Sequence, residues 1–178
     1  MEITDRELWA VIHGMGLGAL FLLAFGGGLA GLYSYRPNWL TLEGVRERVT
    51  RLAAGTWIMA IVAWLTVITG TYIVYPWYRA TPPAGTTGEA LEEYPRSFLL
   101  ADAHLDLWHK FGMEWKEHIA FLAPILATAV AVMVTYYGPR LADKPRVRYV
   151  LMAMFAVAFA AAGIAAVFGA LITKNAPV

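Results

Sequence analysis

The stretch VLMAMFAVAFAAAGIAAVFGALI, residues 150–172, runs for 23 residues without a charged side chain. At a rise of 1.5 Å per residue such a run forms a helix about 35 Å long, enough to cross a hydrocarbon core about 30 Å thick. Three more runs of this kind stand in the chain, at about Trp9–Tyr33, Leu52–Tyr75 and Ile119–Tyr137. Each is continuously apolar rather than alternating, which is the pattern of a helix and not of a barrel strand. Hydrocarbon offers backbone N–H and C=O groups no partner, so a spanning segment must satisfy them itself. The expected fold is therefore all-α: an integral membrane four-helix bundle, a single transmembrane domain over residues 1–178.

Composition agrees. Apolar residues make up 59% of the 178 and charged residues 15%, against about 45–50% and about 25% in soluble domains. Mean hydropathy is +0.54. The chain has no cysteine, which excludes disulfides, thiolate zinc sites, cysteine-ligated iron–sulfur clusters and covalently attached haem. A net charge of +1 with no long basic run gives no reason to expect a nucleic-acid partner. The first apolar run does not read as a cleavable signal peptide, because it is long and follows the acidic Glu2, Asp5 and Glu7.

Aromatic residues mark where the runs meet the interfaces: Tyr33, Tyr35 and Trp39; Tyr75, Trp77 and Tyr78; Trp108 and Trp115; Tyr136 and Tyr137. Pro124 removes a backbone donor inside the third run and predicts a bend there. Gly26, Gly27, Gly28 and Gly31 predict close approach of a neighbouring helix. In TLEGVRERVTR, Thr41 is a candidate N-cap for a helix that runs on into the second span.

An even number of spans puts both termini on one side, here called side A. The side-B connections carry Arg36, Arg46, Arg48 and Arg51, then Arg140, Lys144, Arg146 and Arg148. Side A spreads Arg6, Arg79, Arg96, Lys110, Lys116 and Lys174 over more chain and holds most of the acids. The excess of basic residues on side B predicts that side B is cytoplasmic and that both termini are extracytoplasmic. The membrane expected is a bacterial or archaeal plasma membrane. The one long polar connection, about Arg79–Trp115, lies on side A. Within it Leu100, Ala103, Leu107 and Phe111 recur at near-helical spacing, which predicts a short amphipathic helix on the membrane surface.

All four histidines, His13, His104, His109 and His118, fall on side A. His13 is about one turn inside the first span, and His118 stands at the threshold of the third. Counting back from Tyr33 and Tyr137 gives depths of roughly 30 Å and 28 Å, so the two rings share a level in the membrane. Ionisable residues in spans mark functional sites more often than not. Three readings stay open. The two rings are interfacial or hydrogen-bonding groups; or they are the two axial ligands of one haem b; or His104, His109, Glu114 and His118 hold a non-haem copper or iron. In the haem reading Gly14, Gly16 and Gly18 leave room for a macrocycle, and Phe121, Leu122 and Ile125 wall it. Arg79 and Arg96, with Tyr78, are candidate propionate partners, and Met15 and Met113 are alternative ligands.

Four apolar helices with span histidines on one side resemble the membrane-anchored b-type cytochrome subunits of respiratory and photosynthetic chains. The resemblance rests on the architecture and on His13 and His118. It implies a subunit that passes electrons between a quinol and a peripheral redox protein, among other membrane subunits, rather than a self-contained enzyme. His104, His109, Glu114 and Glu117 are then candidates to accept quinol protons or to dock a partner. With no histidine on side B, a second bis-histidine haem is not expected. The alternative from another class is a cofactor-free structural subunit of a membrane complex. No charged residue at mid-span suggests a transporter, and no nucleophile motif, phosphate loop or HExxH is present.

Overall fold

The computed structural model of the chain describes residues 3–176, with Leu42 and Glu43 described through their backbone only. Four helices are long and apolar enough to cross a membrane: helix one, Asp5–Ser34; helix two, Gly44–Tyr78; helix three, Trp108–Asp143; and helix four, Pro145–Asn175. No strand occurs among the described residues. The protein is an all-α, four-helix integral membrane protein.

Every helix starts before its apolar run does, and polar side chains cap the first two. Thr4 and Glu7 form a capping box: the Glu7 amide donates to Thr4 Oγ1 at 3.2 Å, and the Thr4 amide donates to Glu7 Oε2 at 2.8 Å. Thr41 caps helix two as its position predicts, accepting from the Gly44 amide at 3.0 Å. Pro145 stands at the first position of helix four, where its missing N–H costs nothing.

Lipid tails are as apolar as leucine, so the bundle is held by close packing and interhelical hydrogen bonds. Helices two and three run antiparallel and are pinned twice. Trp57 Nε1 donates to Thr135 Oγ1 and Trp64 Nε1 donates to Thr128 Oγ1, both at 3.0 Å. Both pairs step by seven residues, two turns, so one register satisfies both. Helices one and four meet through Phe25, stacked on Phe155 and Phe159 at 5.2 and 4.2 Å. The four glycines of helix one divide. A Cβ on Gly28 would stand 2.7 Å from Phe155 Cε1, and one on Gly31 would stand 2.9 Å from Leu52 Cδ1. Gly26 and Gly27 would meet nothing within 4 Å, so they do not serve close packing inside this chain.

Arg148 departs from its expected place among the solvated side-B charges. It is buried, and its Nη1 donates to the backbone oxygen of Tyr35 and to that of Ala142, the latter at 2.9 Å. One guanidinium of helix four thus ties the connection after helix one to the side-B end of helix three.

The side-A loop also differs from expectation. Its helix covers only Pro95–Ala101. Asp102 leaves helical geometry, accepts the His104 amide at 2.7 Å, and ends the helix. Leu100, Leu107 and Phe111 are exposed but lie on two separate helical pieces. The loop helix is seated by Leu99, fully buried with Tyr78, Met113, Ile172 and Ala176. That plug brings Arg96 over the ends of helices two and three.

Candidate functional site at the side-A helix ends

Three of the spanning helices loosen at side A. Helix one is π-helical over Ile12–Gly18, helix two over Gly70–Val74, and helix three over Trp108–Met113. A π turn carries an extra residue at a cost, and such turns recur at functional sites. Here they hold His13, Gly70 and His109. His13 lies against Gly70 so tightly that a Cβ there would be 2.6 Å from its Cε1. Its Nδ1 is 3.3 Å from Thr69 Oγ1, and the charged neighbour it faces is Lys116.

His109 is buried, with both ring nitrogens engaged: Nδ1 with Tyr78 Oη at 2.9 Å and Nε2 with Arg96 Nε at 3.3 Å. A guanidinium only donates. Nε2 therefore accepts, the neutral ring carries its proton on Nδ1, and that proton goes to the Tyr78 oxygen. The Tyr78 hydroxyl hydrogen is left free to donate elsewhere.

Tyr75 repeats the pattern. Arg79 Nη1 donates to its oxygen at 2.6 Å, and the Tyr75 hydroxyl is left within hydrogen-bonding reach of the Glu117 carboxylate. The bond to Tyr75, from a side chain just past the helix end, raises the Arg79 pKa. Glu117 stands near both phenols, its charge acting on Tyr75 and Tyr78. Its Oε1 is buried without a hydrogen-bond partner. Trp115 Nε1 is a second buried polar atom without one. Lys116 points across to helix four, its Nζ 2.9 Å from where a Cβ on Gly169 would stand. The face toward helix two therefore offers the Tyr75 and Tyr78 hydroxyls and the Glu117 carboxylate, at depths from buried (Tyr78, His109) to exposed (Arg79, Glu114).

The residues expected from sequence separate. His109, Arg96, Arg79 and Glu117 come together. His13 faces Lys116 and Thr69 instead. Nor does His118 join them: its side chain is 69% exposed, with Nδ1 held by the Glu114 backbone oxygen at 2.9 Å and 3.6 Å from the Glu114 carboxylate. Residues two apart on a helix point about 200° apart. Lys116 faces inward, so His118 faces outward, in line with the exposed Leu122 and Ile125. His104 is exposed in the loop, Met15 is on the outer surface, and Met113 is packed in the side-A core.

This arrangement does not fit a haem ligated by two histidines of this chain. His118 points away from His13, His109 has no free nitrogen, and the expected walls Leu122 and Ile125 lie on the outer face. Arg96 and Arg79 each spend one N–H within the chain, on His109 and on Tyr75. Nor do His104, His109, Glu114 and His118 gather as the non-haem reading requires: among the described residues no three histidine, aspartate or glutamate side chains converge as a metal site.

No protein-family description, curated protein or solved structure matches this chain. Its site is thus defined by its own geometry. Sequence reasoning passed over Tyr75, Lys116, Trp115, Thr69 and Gly70. The available signal was the pair Lys116–Glu117 within four residues of an apolar run, since two adjacent charges at that depth require partners on neighbouring helices.

Proposed function

We propose that this protein is a membrane subunit of a respiratory or photosynthetic electron-transfer complex, and that its side-A cluster receives the ring of a quinol-class carrier and takes its protons. The observation that carries this reading is a buried Glu117 oxygen that no donor reaches, in a carboxylate beside Tyr75 and Tyr78, with the Tyr78 hydrogen free. A quinol ring presents O–H donors, which a carboxylate accepts. The quinone it becomes presents carbonyl acceptors, which phenols donate to.

Oxidation releases two protons and two electrons. Glu117 takes a proton from a ring hydroxyl, and the exposed edge at Arg79 and Glu114 passes protons to side A. By the positive-inside pattern that side is extracytoplasmic. The electrons leave to a redox group of a neighbouring subunit or a peripheral protein, and none is routed through a haem within this chain.

A short-chain quinone added to the full-length protein in nanodiscs is expected to quench tryptophan fluorescence saturably, with Tyr78→Phe weakening the saturable part. Quenching that rises linearly without saturation, from a fully folded protein, would leave the chain a structural accessory subunit. A reduced-minus-oxidised spectrum of the same sample is expected to lack the α-band of a bis-imidazole haem. A band abolished by both His13→Ala and His118→Ala would overturn the placement of His118 on the outer face.

A further inference from the structure

At the opposite end of the bundle, helices one and two are held apart by a groove of about 970 Å³, at the top of the range of about 300–1,000 Å³ found for ligand pockets. Gly28 and Gly31 make the contacts to Phe155 and Leu52 that set the helix separation. Gly27 and Gly55 also line the groove, and a Cβ on either would meet nothing within 4 Å. The void exists because side chains are missing at two positions where the packing does not need them missing. At its side-B mouth stand Arg48, Arg51 and Trp39. Arg51 also reaches Glu47 at 2.5 Å, but this pair is well exposed, and exposed pairs contribute little and exchange partners readily.

A slot lined by glycine and aliphatic groups, running toward two guanidinium groups and an indole at the membrane interface, matches a single amphiphile. We propose that this groove binds one anionic phospholipid, with an acyl chain along Gly27 and Gly55 and the phosphate at Arg48 and Arg51. Charge complementarity selects this occupant: basic clusters at the ends of spans attract anionic headgroups, and guanidinium binds phosphate through paired N–H donors. The site lies at the other end of the bundle from the Glu117 cluster and does not depend on what that cluster does.

The test is native mass spectrometry of the full-length protein released from micelles containing phosphatidylglycerol and phosphatidylcholine with the same acyl chains. Wild type is expected to retain one phosphatidylglycerol in preference to phosphatidylcholine. The Arg48→Gln/Arg51→Gln variant is expected to lose that preference by about tenfold or more while still carrying lipid of either kind. Gly55→Leu and, independently, Gly27→Leu fill the void where no atom obstructs, and each is expected to lose the bound lipid with helical circular dichroism unchanged. Equal retention of the two lipids by wild type would overturn the proposal. So would undiminished retention in both leucine variants, or cross-linking in native membranes that finds a protein helix in the groove.

Discussion

Replacing Glu117 by glutamine is expected to slow quinol oxidation by the assembled complex by about 10²–10⁴-fold, the usual contribution of a positioned general base. Glutamine keeps the volume and a hydrogen-bonding carbonyl but takes no proton at neutral pH. The carboxylate is the acceptor beside the hydroxyls of Tyr75 and Tyr78. His109 does not take over its role, since its Nε2 already accepts from Arg96. Glu117→Asp, which retains the carboxylate one methylene back, is expected to recover part of the rate. A merely structural side chain would show the reverse order, with glutamine better tolerated than aspartate. Rates of the glutamine variant within twofold of wild type would remove Glu117 from the chemistry.

The second large effect concerns stability. Arg148→Met leaves the backbone oxygens of Tyr35 and Ala142 buried and without their donor. Each orphaned acceptor costs about 1–3 kcal/mol, so a loss of about 2–6 kcal/mol is expected. Methionine fills the space of the arginine stem, so packing is largely kept. At about 2–4 °C per kcal/mol for a chain of this size, thermal unfolding in detergent should fall by about 10 °C. Arg146→Met, two residues away and exposed, provides the control and should leave the melting temperature nearly unchanged. Equal losses in the two variants would mean that net charge at side B, and not the bridge to the two backbone oxygens, is what Arg148 contributes.

The four spans were legible because the bilayer imposes a length. A run such as Val150–Ile172 has no other stable place, and each of the four apolar runs lies inside a spanning helix. The ends were less legible. Helix three begins at Trp108, eleven residues before the apolar run at Ile119, because His109, Met113 and Lys116 turn inward against the loop helix and helix four. A hydropathy pattern registers the charge of these residues and not the direction they face. The same limit explains His118. Counting residues gives depth, and His13 and His118 do share a depth by that count. Rotation about the helix axis is set by packing, and inward-facing Lys116 turns His118 out. Pro124 adds to this. It leaves the turn before it held by shorter-range bonds, Leu122 to Ile119 at 3.0 Å and Ala123 to Ala120 at 3.1 Å, so heights counted through it drift. The π turns had no signature at all in composition, since a helix that inserts one residue keeps the same hydropathy.

The central claim is that the cluster recognises both forms of one carrier through different atoms, Glu117 for the quinol and Tyr78 for the quinone. The direct measurement is binding of a short-chain quinone and, by competition, of its quinol to the full-length protein in nanodiscs, in wild type, Glu117→Gln and Tyr78→Phe. Losing a charged acceptor should weaken the quinol by about tenfold or more and change the quinone little. Losing the phenol should weaken the quinone more than the quinol. Such crossed losses are the predicted result; variants that weaken both forms equally, or a wild-type protein that binds neither, would contradict it.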